Sequence, residues 1–179
     1  KDMTSTKDWF VYHNSIGNAN RLKLNDTAAS GSSTVWNSTT PTSSVFYIDS
    51  QVYTNASSNN FIAYCFAEKT GFSKFGAYTG NASTNGPMVV TGFKPAFLFV
   101  KSVGARNWIL FDGTRDPGNL VNEYVYSNQS SAEGQSSTNG YDFLANGFRV
   151  RNTYNDGNVD GEKYLYMAFA KNPFVTSVT

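Results

Sequence analysis

The segment Asp156-Gly157-Asn158-Val159-Asp160-Gly161 places oxygen-bearing side chains at alternate positions. Oxygen donors at alternate positions followed by Gly match the first half of a calcium loop. The second half departs from that pattern, because the bidentate Glu such a loop needs falls at Met167 and no helical pattern flanks it. Asp, Asn and Gly are also ordinary turn formers. Asp156, Asn158 and Asp160 therefore read as a solvated hairpin turn, and neither a metal nor a cofactor is expected.

Nucleophilic chemistry finds little support. The chain has one His, His13, and one Cys, Cys65. A two-His zinc motif is excluded, and a Ser-His-Asp triad would hinge on His13 alone. Cys65 sits in the apolar run Phe61-Ile62-Ala63-Tyr64-Cys65-Phe66-Ala67, distant from His13, and reads as a small buried thiol. No catalytic residue is nominated. Glycoside hydrolysis needs only two carboxylates at a suitable separation, but Glu68 and Glu162 fall at strand ends where solvated roles are ordinary.

Binding chemistry is better represented. Trp9, Trp36, Trp108 and eleven Tyr could stack on sugar rings. At a strand period of two, Trp9 and Trp108 share a face with Val11 and Leu110 and read as core anchors. Trp36 lies among Ser, Thr and Asn and is the candidate for an exposed aromatic, and Tyr12 is a second ligand candidate. Asp112 and Arg115 follow the second Trp strand closely; they pair across a turn or meet a ligand, and an ion pair is the simpler reading. Asn25, Asn37, Asn55, Asn81 and Asn128 head glycosylation sequons of a kind expected by chance in so Asn-rich a chain.

The elements that position these residues follow from composition. Asn, Ser and Thr are abundant, Leu is scarce, and aromatics make up 16% of the 179 residues. Helices disfavour that mixture and strands accept it, so the chain is expected to be all-β, with turns at dipeptides such as Asn85-Gly86, Asn139-Gly140 and Asn146-Gly147. No helix is expected; the nearest candidate, 119–126, lacks helical spacing. A formal charge of +1 with mixed signs gives no footprint for nucleic acid. No apolar run approaches a membrane span, so no membrane insertion is expected. The chain begins at Lys1 rather than Met, which reads as a mature product or one piece of a longer polypeptide.

A long repeat organises these strands. Lys7-Asp8-Trp9-Phe10-Val11-Tyr12-His13 aligns with Arg106-Asn107-Trp108-Ile109-Leu110-Phe111-Asp112. Lys1 answers Lys101, Phe46 to Val52 answers Phe143 to Arg149, and Phe61 to Glu68 answers Tyr164 to Lys171 as a closing strand. The reading is an antiparallel β-sandwich, jelly-roll or concanavalin-like, spanning 1–179. Repeat one occupies 1–76 and repeat two 92–174, with two small tandem sandwiches as the alternative. Repeat one lacks a partner for the strand Ala96 to Val100. Its sheet is expected to have a vacancy, filled by an upstream stretch or by the apolar tail Phe174 to Val178 of a neighbour.

The residues of repeat two carry a resemblance. Gly92 to Lys101, Asn107 to Arg115, Asp142 to Phe148 and Tyr164 to Ala170 are similar to a repeat of virion proteins of marine bacteriophages. In that repeat a lysine-ending strand, a Trp strand closing in Asp and Arg, a Gly-Phe strand and a Tyr-x-x-x-Ala strand recur in tail-fibre and related polypeptides. The first repeat departs from it, with Tyr12-His13 at the Asp position and no counterpart of Arg115. The resemblance implies a virion or extracellular location and a non-enzymatic tail-fibre or surface module for assembly or host attachment. Its partners would be other virion subunits, as a homo-oligomer, and a host surface glycan. A glycan-binding lectin domain and a polysaccharide-degrading tail-spike enzyme are the alternatives.

Overall fold

Alternation of large apolar residues over 163–170 builds a strand paired on both sides: Tyr164, Tyr166 and Ala168 enter the core, while Leu165, Met167 and Phe169 face the other way. The computed structural model describes residues 1–137 and 140–173. They form two compact units, Lys1–Phe66 and a second from Ala67 on. The chain is all-β, with antiparallel sheets packed together as a β-sandwich.

The first unit holds a three-stranded antiparallel sheet of β1 (Phe10–Val11), β2 (Asn20–Lys23) and β3 (Gly31–Ser32), in that order. A single 3₁₀ turn, Asn14–Ile16, links β1 to β2. Leu22, Val35 and Trp36 are its buried apolar side chains.

Among the described residues, the second unit has nine strands: β4 (Ser73–Thr79), β5 (Met88–Val90), β6 (Pro95–Ser102), β7 (Trp108–Asp112), β8 (Glu123–Tyr126), β9 (Gly134–Gln135), β10 (Tyr141–Leu144), β11 (Gly147–Val150) and β12 (Lys163–Ala170). One sheet runs β4-β12-β6-β7-β8-β9 and the other β10-β11-β5. Between them lies the core, with Leu98, Val100, Ile109, Phe111, Tyr164 and Tyr166 facing Val89, Tyr141, Phe143, Phe148 and Val150. Aromatic edges meet aromatic faces there; Phe111 and Tyr141 have ring centroids 4.7 Å apart at 62°. The β10-β11 hairpin turns at Ala145-Asn146, and Gly147 follows at φ 154°. A Cβ at Gly147 would lie 2.0 Å from the Val89 carbonyl oxygen, so only glycine lets β5 approach.

Four expectations need correction. Phe61 to Glu68 forms no closing strand, and only Phe61 makes an isolated bridge, to Asp2. Cys65 is consequently exposed rather than buried. An apolar run becomes a strand only where a neighbour offers a ladder, and β12 has β4 and β6 on its two sides while 61–68 has neither. Trp36 is buried, its indole N–H finding the Asn20 carbonyl and its ring the edge of Tyr12. Ser73–Thr79 spans the expected end of repeat one and pairs with β12 in the second unit. The tail Phe174 to Val178, and Asn139 of the expected Asn139-Gly140 turn, lie outside the described residues.

Candidate functional site

Each unit contains the same clamp on its Trp strand. In the second unit, Lys101 is fully buried and donates from Nζ to the carbonyls of Gly104 and Arg106, at 3.0 and 2.7 Å. Asn128 accepts the Trp108 amide at 2.8 Å and donates to the Asn107 side chain at 2.9 Å. In the first unit, Lys1 Nζ donates to the carbonyls of Ser5 and Lys7, the latter at 2.5 Å. Asn25 accepts the Trp9 amide at 2.9 Å and donates to Asp8 at 3.0 Å.

Strand pairing follows suit. Phe10 and Val11 pair with Lys23 and Leu22 as Ile109 and Leu110 pair with Tyr126 and Val125. Arg21 lies opposite Gly31 as Tyr124 lies opposite Gly134. The sheet β1-β2-β3 thus reproduces β7-β8-β9.

The two Trp residues are not equally buried. Trp108 is 6% exposed and packs on Phe99, with centroids 5.2 Å apart, on the sheet face opposite the core cluster. Trp9 is half-buried, stacked on Tyr64. Asp112 and Arg115 do not form an ion pair with each other: Asp112 accepts the Thr114 amide at 2.8 Å, while Arg115 pairs with Glu133 at 2.5 Å. A two-residue step suits an Asx turn better than a long guanidinium folding back on its own loop. His13 plays the Asp112 part in the first unit, its Nδ1 accepting the Ser15 amide at 3.1 Å. The crevice between Asp112, Arg115, Glu123 and Glu133 has no room for a ligand.

The Asp156 to Gly161 loop is not a solvated turn. Asp156 is 4% and Asn158 0% exposed. Asp156 accepts from the backbone and side-chain N–H groups of Asn107, at 3.0 and 3.1 Å. Asn158 accepts the Asn81 amide and donates to Asn81 Oδ1 and to the carbonyls of Ser83 and Asn152. Asp160 is exposed and apart from these bonds. Among the described residues, no group of three or more His, Cys, Asp or Glu converges. Tyr78, Tyr141 and Tyr164 close the same end. Tyr78 donates to the Gly157 carbonyl and Tyr164 to the Asn155 carbonyl, and burial raises Tyr78 and Tyr141 above the usual phenol value and Tyr164 to about 12. These phenols stay neutral donors that tie loop to core.

A concavity lies in the first unit. A cleft of about 520 Å³ is lined by Arg21, Ser32, Ser33, Thr34, Gln51 and Tyr53, with Ser38 at its side. Trp36 lies beneath this loop, its indole N–H donating to the Asn20 carbonyl at 2.9 Å and its ring meeting Tyr12 edge-on at 5.9 Å. The structure therefore brings the ligand candidates Tyr12 and Trp36 together, as packing rather than as an exposed platform. The turn after Trp36 holds Asn37 and Ser38 at φ 51° and 47°, a left-handed pair of non-glycine residues. Such backbone costs on the order of 1 kcal/mol per residue and clusters at functional sites.

Sequence reasoning missed Arg21 and took Asn25 and Asn128 only as heads of sequons. The signal was present: aligning the Trp residues and allowing a loop four residues longer in the second repeat, a span of 20 against 16, matches the two Asn and sets Arg21 against Tyr124.

A family model described as Domain of unknown function (DUF7483) matches residues 1–173, and the chain belongs to that family. No curated protein and no solved structure matches it.

Proposed function

We propose that this DUF7483 member is a non-enzymatic module of a phage particle, a tail-fibre or surface domain serving assembly and host attachment. The resemblance of the second repeat to virion proteins supports the particle. The residues carrying that resemblance support a structural role, since Lys101, Trp108, Phe148, Tyr164 and Ala168 are all buried, so the recurrent motif encodes a fold and leaves loops free to vary.

Assembly rests on one observation. Val45, Phe46, Val52, Tyr64 and Phe66 of the first unit are each more than 40% exposed, an apolar surface of the kind that subunit contacts cover. Homo-oligomers and other virion subunits are the partners this reading calls for. The carboxylates favour no hydrolysis: Glu68 pairs with Lys74, Glu133 with Arg115 and Glu162 with Arg106, and Asp112 and Asp156 hold backbone amides.

Incubating the purified chain with envelope polysaccharide of the host and assaying new reducing ends tests this reading. No increase is expected. Shortened polysaccharide would overturn the non-enzymatic assignment in favour of a degrading tail spike.

A further inference from the structure

The two copies of the three-stranded sheet differ at one telling position. On β8, Tyr124 packs against the sandwich core beside Phe111, with centroids 6.3 Å apart. The equivalent residue on β2 is Arg21, and there the first unit has a cleft of about 520 Å³. Such a volume lies in the ordinary range for small-molecule sites.

Arg21 is short of partners. Its Nη1 donates to the Ser32 carbonyl at 3.1 Å, its guanidinium lies 5.1 Å from the Phe10 centroid, and its Nε is buried with no hydrogen-bond partner. Among the described residues, no acidic residue lines the cleft. The nearby carboxylates are engaged: Asp8 and Asp26 with Lys23, and Asp49 with the Thr34 hydroxyl and the Ser50 amide. A second cation, Lys7, lies over the Tyr53 ring at 5.6 Å. A partly buried guanidinium with no carboxylate partner favours an anion on its accessible side.

The rest of the lining suits a polyhydroxylated body. Ser32, Ser33, Thr34 and Ser38 supply hydroxyl groups, Gln51 an amide, and Tyr53 an aromatic ring. We infer that this cleft binds a carboxylate-bearing saccharide, of the uronic-acid class, with Arg21 receiving the carboxylate and the hydroxyl-rich wall receiving the ring hydroxyls. The inference rests on the attachment part of the proposed function, naming the place and the chemistry of the contact.

The test is titration of the full chain with a uronic-acid oligosaccharide, its carboxyl-reduced neutral counterpart, and inorganic phosphate, followed by calorimetry. Binding of the acid is expected, with the neutral form weaker by about tenfold or more, as loss of a charge-assisted pair implies. Arg21→Gln should weaken the acid by a similar factor. Arg21→Lys keeps the charge and loses the planar fork, and it should also weaken binding; it serves if Arg21→Gln lowers the melting temperature. Equal binding of acid and neutral forms, no binding of either, or phosphate binding as tightly as the acid would overturn the inference. Localisation of the chain on particles is independent of all three outcomes, so this inference fails separately from the particle assignment.

Discussion

Asn128 accepts the backbone N–H of Trp108 at 2.8 Å across a separation of 20 residues. Asn25 does the same for Trp9 at 2.9 Å across 16. Each Asn also ties down the polar side chain preceding its Trp, so a single amide fixes the start of the Trp strand against the end of the next one. Asn128→Ala strands the Trp108 amide and leaves the Asn107 side-chain oxygen to Gln129 alone. It should cost about 1 to 3 kcal/mol in chemical denaturation, with Asn25→Ala nearer the lower end because its bonds are exposed. Equal stability of Asn128→Ala and the parent chain would show the clamp to be incidental.

Burial separates the two Trp residues in the same way. Trp108→Ala removes a side chain 6% exposed and should cost about 3 to 5 kcal/mol. Trp9→Ala, at a half-buried site, should cost clearly less, and thermal melts of the two variants compare them directly.

Asp2 sets part of the acid stability of the first unit. The Ser5 hydroxyl, the Thr4 amide and the Asn59 side chain bond its carboxylate and, against the opposing effect of burial, hold its pKa at about 2, below the ordinary 3.8. A depressed folded value means that the stabilisation is complete above about 4 and is lost as pH falls toward 2. Melting temperatures of the parent chain and Asp2→Asn should differ by a constant amount above pH 4 and converge below it. A difference that grows on acidification would contradict the bonding pattern.

Asn158 holds the 80–83 loop and the 152–161 loop together with a wholly buried side chain. Asn158→Ala leaves several buried partners unmatched and should cost about 3 kcal/mol or more. Because the Asp156 and Asn158 oxygens already accept protein N–H groups, the melting temperature should be unchanged by EDTA. A drop of several degrees in chelator would reinstate the calcium loop.

Much of the second unit was legible in the sequence, because there local pattern and tertiary context agree. Tyr164 to Ala170 alternates and is flanked by two strands; Asn146-Gly147 demands a tight turn and makes one. The first unit departs from the sequence pattern where that pattern lacks a neighbour, as at Phe61 to Glu68, or where a long-range bond draws a Trp inward from a polar stretch, as the Asn20 carbonyl does for Trp36. The cleft was illegible because residues far apart in sequence line it, Arg21, Ser32 to Thr34, Gln51 and Tyr53, and the placing of Arg21 against Tyr124 shows only once strand registers are matched.

The central claim is that this chain is part of a phage particle. Gold-labelled antibody raised against the purified chain, applied to intact particles and viewed by electron microscopy, tests it most directly. Gold confined to the tail or the particle surface is the predicted result. Particles free of gold, from a lysate in which the same antibody detects the chain in the unassembled fraction, would contradict it.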